Sequence, residues 1–430
     1  MKHIYIIILI SLFCHFPAFA EEGNLSLDRC QQMAKENYPL IRQYELIDKT
    51  VEYSLSNVKK AYLPQFNLSA QATYQSAAAD FPDELKRLFA SVVDIEGMKR
   101  DQYKVALEVN QTIWDGGNVS AKSAELKAQK EVSQRNIDVE LYTLKQRVNN
   151  LYFGILLLNE SIRQNKLTQH LLEQNRMKLN SMQENGVAQQ SDIDALTVQL
   201  LTVRQQYKNF DIMQQSYMKM LSLLIGQEIT DISRLERPME IEHFPNQNNR
   251  PELALYNAQL SHINAQERSV KSGLMPKIGL FATGFYGYPG FNMMEDMFNP
   301  AFSWNYLVGI KMQWNIGSFY TRKNSLKQLS TQREQIENKR ELFLFNLEQS
   351  TTQQQHEIMR LKQLIADDSE IVRLRNSIRI AEESKLANGI IDVTELLQKI
   401  TDEQNASLAK AAHEIELLKY EYELKTTTNN

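Results

Sequence analysis

The sequence predicts a mostly α-helical chain with a small β portion, in which one structural unit is built twice. Three observations predict it. Turn residues are scarce, with 15 Gly and 10 Pro in 430 residues, about half their share in ordinary globular domains, so the elements must be long. Landmarks recur at fixed offsets along the chain. Two kinds of periodicity also alternate, one suited to strands and one to very long helices.

The N-terminal segment reads as an address. Lys2 and His3 precede an apolar run, Ile4 to Phe13, and Ala18-Phe19-Ala20 supplies a small-x-small cleavage pattern. Residues 1–20 are therefore expected to be a secretory signal peptide. Cys14 follows Phe13 rather than a small residue, which argues against a lipoprotein signal, and Cys30 is then left without an intrachain partner. Its expected role is a small buried residue on a helix. The balance of Lys+Arg 48 against Asp+Glu 52, a net charge of −4, gives no sign of nucleic-acid binding. No later apolar run is long enough for a membrane-spanning helix.

The repetition comes next. Asn37-Tyr38-Pro39 recurs as Asn249-Arg250-Pro251, and Leu63-Pro64 as Met275-Pro276, both at an offset of 212. Phe66, Leu68, Ala70, Ala72 and Tyr74 map at that offset onto Ile278, Leu280, Ala282, Gly284 and Tyr286. Farther on the offset is 203: Tyr103, Val105, Leu107, Val109 and Ile113 map onto Tyr306, Val308, Ile310, Met312 and Ile316, and Asn185-Gly186 onto Asn388-Gly389.

Within each half the first elements are strands. Residues 65–74 alternate strictly, with Phe66, Leu68, Ala70, Ala72 and Tyr74 opposite Gln65, Asn67, Ser69, Gln71 and Thr73. Tyr103 to Ile113 does the same, with Lys104, Glu108, Asn110 and Thr112 on the polar side. Strands of this length and pattern suit a transmembrane β-barrel, which needs about 9–11 residues per crossing. A soluble, half-buried hairpin has the same alternation. Tyr286, Tyr288, Phe291, Phe298, Phe302, Trp304 and Tyr306 gather around the second loop; they suit either an interfacial aromatic girdle or the core of a loop subdomain.

Long helices follow. Ile137, Leu141, Leu144, Val148, Leu151, Ile155, Leu158 and Ile162 form a heptad seam. The second half keeps Leu344, Leu347, Ile358, Leu361 and Ile365 but has Arg340, Thr351 and Gln354 elsewhere, a weaker seam. A helix of some 66 residues extends about 100 Å. Asn185-Gly186 and Asn388-Gly389 supply left-handed helix ends, with Ser191 and Thr394 as expected N-caps of the returning helices. The first repeat is thus 21–226, with strands about 65–74 and 103–113 and helices about 118–185 and 191–225. A connector occupies 227–248. The second repeat is 249–430, with strands about 277–288 and 304–316 and helices about 320–387 and 394–425.

Two halves provide four strands, too few to close a barrel, and an open edge cannot sit in lipid. The chain must then associate; a trimer would supply twelve strands.

At this point the sequence resembles the TolC family of outer-membrane efflux and secretion channel proteins. The likeness rests on Leu25-Ser26-Leu27 with Ala34 and Asn37-x-Pro39, Leu63-Pro64 before a strand, Gln111-x-Ile113-Trp114-Asp115-Gly116-Gly117 at a strand-to-helix junction, and the tip glycines Gly186 and Gly389. The resemblance implies a homotrimer, with a 12-stranded outer-membrane β-barrel continued by a periplasmic coiled-coil α-barrel. It also implies passive conduction to the outside, partnered by a periplasmic adaptor and an inner-membrane transporter, with no cofactor.

It implies further that Asn185, Gly186, Val187, Asn388, Gly389 and Ile390 meet the adaptor, and that Phe66, Leu68, Tyr74, Val105, Leu107, Val109, Ile278, Leu280, Tyr286, Val308 and Ile310 face lipid. Glu395, Asp392, Asp192 and Asp194 are the expected periplasmic constriction, though carboxylates at helix starts also suit the helix dipole without any further role. The second junction departs from the pattern, with Gly317-Ser318-Phe319 in place of Trp114 to Gly117. Gln398 stands where a second acid is expected, and Ile391 where an arginine is.

No enzyme is expected. His356-Glu357 and His413-Glu414 begin like His-Glu-x-x-His, but Arg360 and Leu417 occupy the final positions. There is no Gly-x-Ser-x-Gly elbow, P-loop or cysteine pair. The competing expectation is a periplasmic coiled-coil scaffold or adaptor whose hairpins never enter a membrane.

Overall fold

The computed structural model describes residues 24–92, 95–241 and 248–429; the expected signal peptide and Pro245 of the connector lie outside them. Nine α-helices and one four-stranded sheet are present among the described residues. In chain order they are α1 (Leu27–Asn37), α2 (Gln43–Lys59), β1 (Gln65–Tyr74), α3 (Asp83–Phe89), β2 (Asp101–Trp114), α4 (Asn118–Glu184), α5 (Gln190–Ile225), α6 (Pro251–Ser272), β3 (Lys277–Tyr288), α7 (Met293–Phe298), β4 (Ser303–Gln313), α8 (Ser318–Ala387) and α9 (Val393–Thr428). None of these helices is long and apolar enough to cross a membrane.

The chain divides into two units. One contains residues 42–139 and 251–345. Its sheet is antiparallel throughout, in the order β1-β2-β3-β4. The helix segments of this unit follow the same order. Lys130 of α4 pairs with Asp48 of α2 at 3.0 Å. The Ser269 hydroxyl of α6 donates to Glu125 of α4 at 3.0 Å. Arg333 of α8 reaches Glu267 of α6 at 2.8 Å, and Tyr256 of α6 packs on Phe343 of α8. The sheet edges β1 and β4 thus continue into the edge helices α2 and α8.

The other unit holds residues up to 41, 140–250 and 346–430. Its largest core joins Cys30 and Ala34 of α1, Val148, Tyr152, Phe153 and Ile155 of α4, Leu221 of α5 and Ile415 of α9. Burial pushes the Cys30 thiol up to about 12, so it stays a neutral core residue. Leu25 bridges Leu235 of the connector. The buried Tyr152 hydroxyl donates toward the carbonyls of Leu25 and Glu236, at 2.7 and 2.6 Å, and so ties the N-terminal segment to the connector. A second core binds the two helical hairpins together through Leu172, Leu179, Leu196, Leu200, Leu396 and Ile400. All eight positions of the first heptad seam are buried. In the weaker second seam only Ile358 and Leu361 are, while Leu344 is exposed.

The two strand-to-helix junctions differ, and the sequence difference explains why. After β2, the buried Asp115 carboxylate accepts from the Gly117 N–H at 2.9 Å, the Val119 N–H at 2.5 Å and the Tyr62 hydroxyl at 2.7 Å. Gly116 and Gly117 make the turn at φ +70° and +84°. After β4 there is no such carboxylate; the Trp314 indole N–H donates to the Leu274 carbonyl instead.

Burial pushes the Asp115 carboxyl up, but its bonds to the Val119 N–H, Tyr62 and the Gly117 N–H outweigh that and hold it below its usual value. A depressed folded-state pKa stabilises above the unfolded value, near 3.9, and the effect is lost as pH falls through the folded one. Asp115→Ala is expected to cost about 1–3 kcal/mol at neutral pH, read as a lower Tm in detergent. The difference from the parent should shrink below about pH 4. An unchanged neutral-pH Tm would contradict the cap.

Candidate functional site

Two surfaces carry the functional question, the apolar face of the sheet and the tips of the helical hairpins. Register fixes the first. Phe66 lies opposite Val109, Leu68 opposite Leu107 and Ala70 opposite Val105. Val105 faces Tyr286 and Val109 faces Ala282. Leu280 faces Ile310, Ala282 faces Val308 and Ile278 faces Met312. Since side chains alternate along each strand, all eleven expected lipid-facing residues share one face. Nine are exposed, while Val109 and Ile278 are half-buried. Phe66, Leu68, Val308 and Ile310 are 69–75% exposed, an arrangement that water does not favour and a hydrocarbon phase does.

Aromatic residues bound this face at both ends. At the loop end Tyr286 packs on Trp304 and Phe302, with centroids at 5.1 and 5.8 Å, and Tyr103 adjoins Phe302. At the helix end lie Trp114, Trp314 and Tyr320, all exposed. Trp304 and Tyr306, more than 80% exposed, belong to the same surface, although the sequence reading of lipid-facing positions omits them. Their place in the aromatic cluster was the available signal. The rest of that cluster does something else. Phe298 packs on Phe81 of the first loop, Phe291 meets Phe285 edge-on, and the buried Tyr288 hydroxyl accepts from the Lys99 N–H. The cluster therefore divides: Trp304 and Tyr306 stand exposed on the apolar face, while Phe291, Phe298 and Tyr288 make loop contacts.

The tips are two matched turns. Gly186 sits at φ +76° and Gly389 at φ +71°. The Gly186 N–H donates to the Gln183 carbonyl and that of Val187 to Met182; Gly389 and Ile390 repeat this with Leu386 and Lys385. These are paired Schellman closures, which demand a left-handed residue at that position. Asn185, Gly186, Val187, Asn388, Gly389 and Ile390 are all exposed.

The caps of the returning helices differ from the expectation. Ser191 and Thr394 are not N-caps; they lie inside the first turn. Gln189 caps α5, with Asp192 accepting from the Gln189 N–H at 2.9 Å. Asp392 caps α9 by accepting from the Glu395 N–H at 2.8 Å. Each longer or acidic side chain stands at the first residue with extended backbone, which a cap requires and a residue already inside the helix lacks. Asp192 and Asp392 are thus structural acceptors. Asp194 accepts from the Gln190 amide at 2.8 Å on an exposed surface, and the Glu395 side chain is exposed.

With this geometry in hand, the likeness to known proteins is specific. Residues 31–227 match the family model for outer membrane efflux proteins. This stretch, a little under half of the chain, is similar to that family. No curated relative gives a significant match. Among solved structures, the outer-membrane channel OprN superposes with a TM-score of 0.70 at 13% identity, covering 94% of this chain and 89% of that one. VceC of Vibrio cholerae gives 0.68 at 11%, covering 94% and 96%. The MtrE channel of Neisseria gonorrhoeae, in its open state, gives 0.66 at 14%, covering 94% and 89%. At such identities these likenesses are of fold.

The similarity to outer membrane efflux proteins supports an efflux role in the outer membrane with a periplasmic extension, over the soluble scaffold and the enzyme. Outer-membrane efflux channels work in general with adaptor and inner-membrane pump partners.

Both tip glycines have open space where a Cβ would stand, so only the backbone resists substitution. Gly389→Ala should destabilise the turn by about 1–2 kcal/mol. Faster amide exchange at Gly389 and Ile390, with the α8 and α9 interiors unchanged, is the expected reading. Unaltered exchange at these two amides would contradict it.

Proposed function

We propose that three copies of this chain close into one twelve-stranded barrel, continued by their helices, and serve as the passive exit duct of a tripartite efflux or type I secretion system. One observation carries the reading: the sheet has an apolar, aromatic-bounded face yet ends at two edges, β1 and β4, that pair with nothing among the described residues. Lipid offers no partner for an edge amide. One chain's β4 set against the next chain's β1 satisfies both edges, and the matching helix order sets α8 of one copy beside α2 of the next. The groove between α2 and α4, lined by Leu46, Ile47, Val51 and Leu126, is apolar surface suited to such a neighbour.

In this reading Phe66, Leu68, Tyr74, Val105, Leu107, Val109, Ile278, Leu280, Tyr286, Val308 and Ile310 meet lipid. The exposed tips, where Val187 and Ile390 are 62% and 70% exposed, dock a periplasmic adaptor that links the duct to an inner-membrane transporter. Threefold repetition would place Glu395, Asp392, Asp192 and Asp194 in acidic rings at the periplasmic constriction, a pattern that favours cations. Glu395 and Asp194 are the better candidates, because Asp192 and Asp392 already serve the helix starts.

Two variants test the surfaces separately. Val308→Arg is expected to cost about 2–4 kcal/mol per copy on the lipid face and to deplete the protein from outer membranes. Normal insertion would remove β4 from contact with lipid. Gly186→Pro should abolish efflux of a fluorescent dye while the assembled species persists in detergent. Intact efflux would remove the first tip from adaptor docking.

A further inference from the structure

The polar face of the sheet carries an uneven set of charges. Register gives this face Gln65, Asn67, Ser69, Gln71 and Thr73 from β1, none of them charged. β2 adds Lys104 and Glu108, β3 adds Lys277 and β4 adds Lys311. Three lysines therefore stand against one glutamate. Lys104 is accounted for, since its ammonium lies 4.1 Å over the Phe285 ring near the loop end.

Lys277 and Lys311 lie together at the helix end. Lys277 faces Gln313, and Lys311 faces Gly279. The two lysines are thus diagonal neighbours, at a strand spacing of about 7–8 Å, with a residue lacking a side chain beside them. A hollow of about 350 Å³ lies there, bordered among others by Asn110, Thr112, Lys277, Gly279, Lys311 and Gln313. Neither ammonium has a carboxylate partner among the described residues. The acid at the adjacent junction, Asp115, is committed to Gly117, Val119 and Tyr62.

An edge-strand lysine is often kept to discourage aggregation, and Lys311 on β4 fits that account. Lys277 does not, because β3 is paired on both sides. Two like charges side by side repel each other, and an anion between them removes the repulsion.

We propose that Lys277 and Lys311 form an anion-binding collar at the inner end of the barrel, and that the duct carries small molecules bearing carboxylate, phosphate or sulfonate groups. This rests on the duct reading above, in which the face opposite the lipid lines the pore and three copies bring these lysines into one ring. The collar has the opposite sign to the acidic residues at the hairpin tips.

Purified wild-type protein in planar bilayers, with citrate as the anionic probe, tests this. Millimolar citrate on the barrel side should block the current. In the double variant Lys277→Gln/Lys311→Gln the block should weaken about tenfold, and the reversal potential in a KCl gradient should move toward cation selectivity. The Lys277→Arg/Lys311→Arg variant should keep the block, and 1 M salt should weaken it in the wild type as the screening length falls to about 3 Å. A conducting wild type that citrate does not block, or a Gln variant blocked as well as its parent, overturns the collar. A wild type that never conducts overturns the duct itself, a separate failure.

Discussion

Backbone polar groups in hydrocarbon must be paired within the protein, and the proposed assembly depends on that constraint. A four-stranded sheet with one apolar face cannot rest in lipid while β1 and β4 each present a row of free amides and carbonyls. In the proposed assembly, head-to-tail pairing of identical copies would remove both rows at once, provided the rotation closes. In that assembly the aromatic residues at either end of the apolar face would mark where hydrocarbon gives way to water. Gln111 stands out as a polar side chain on this face, at the helix end, opposite Leu280.

The helical hairpins solve a different problem, since water rather than lipid surrounds them. Here the hydrophobic effect is available, and the buried seam of α4 uses it. Where the seam of α8 weakens, polar contacts hold the hairpin. Arg379 bridges Glu403 and, at 2.8 Å, Glu383; Arg375 reaches Asp402 at 2.8 Å. His413 meets the buried Asp368 at 2.7 Å, and the fully buried Glu421 is met by Lys362 and the Ile241 N–H. Removing the partner of a buried member, such as Lys362 beside Glu421, leaves a buried polar group without it, which costs more than the pair itself contributes. These contacts therefore fix the register of α8 against α9 more than they add to stability.

Much of this was legible in the sequence, for identifiable reasons. Strict alternation over ten residues has one meaning once the face is known, and residues 65–74 are β1 to the residue. The heptad seam and the tip glycines were equally direct, because only long helices have that period and only a left-handed turn needs that glycine. Other parts were hidden. Helix α1 was expected only as the element carrying a buried Cys30, without bounds, and α2 and α6 were not expected: α2 has no side-chain cap and no buried residue, so neither a start signal nor a clear apolar stripe announces it. Ser26 capping α1 and Pro251 opening α6 were signals available in the sequence. On β3, Phe281 and Phe285 occupy the polar face, where alternation predicts polar residues. Phe285 is buried there because Phe291 from the following loop folds over it, a contact that period alone cannot supply. The short helices α3 and α7 inside the loops were hidden in the same way.

The central claim is that a single chain holds one third of a closed barrel. The most direct measurement is the mass of the protein extracted from outer membranes in detergent, by light scattering corrected for bound detergent. The account predicts three copies of a chain of about 50 kDa, slightly less each if the N-terminal signal is removed. A monomer that persists across several detergents, or one recovered from the soluble periplasmic fraction, would contradict it.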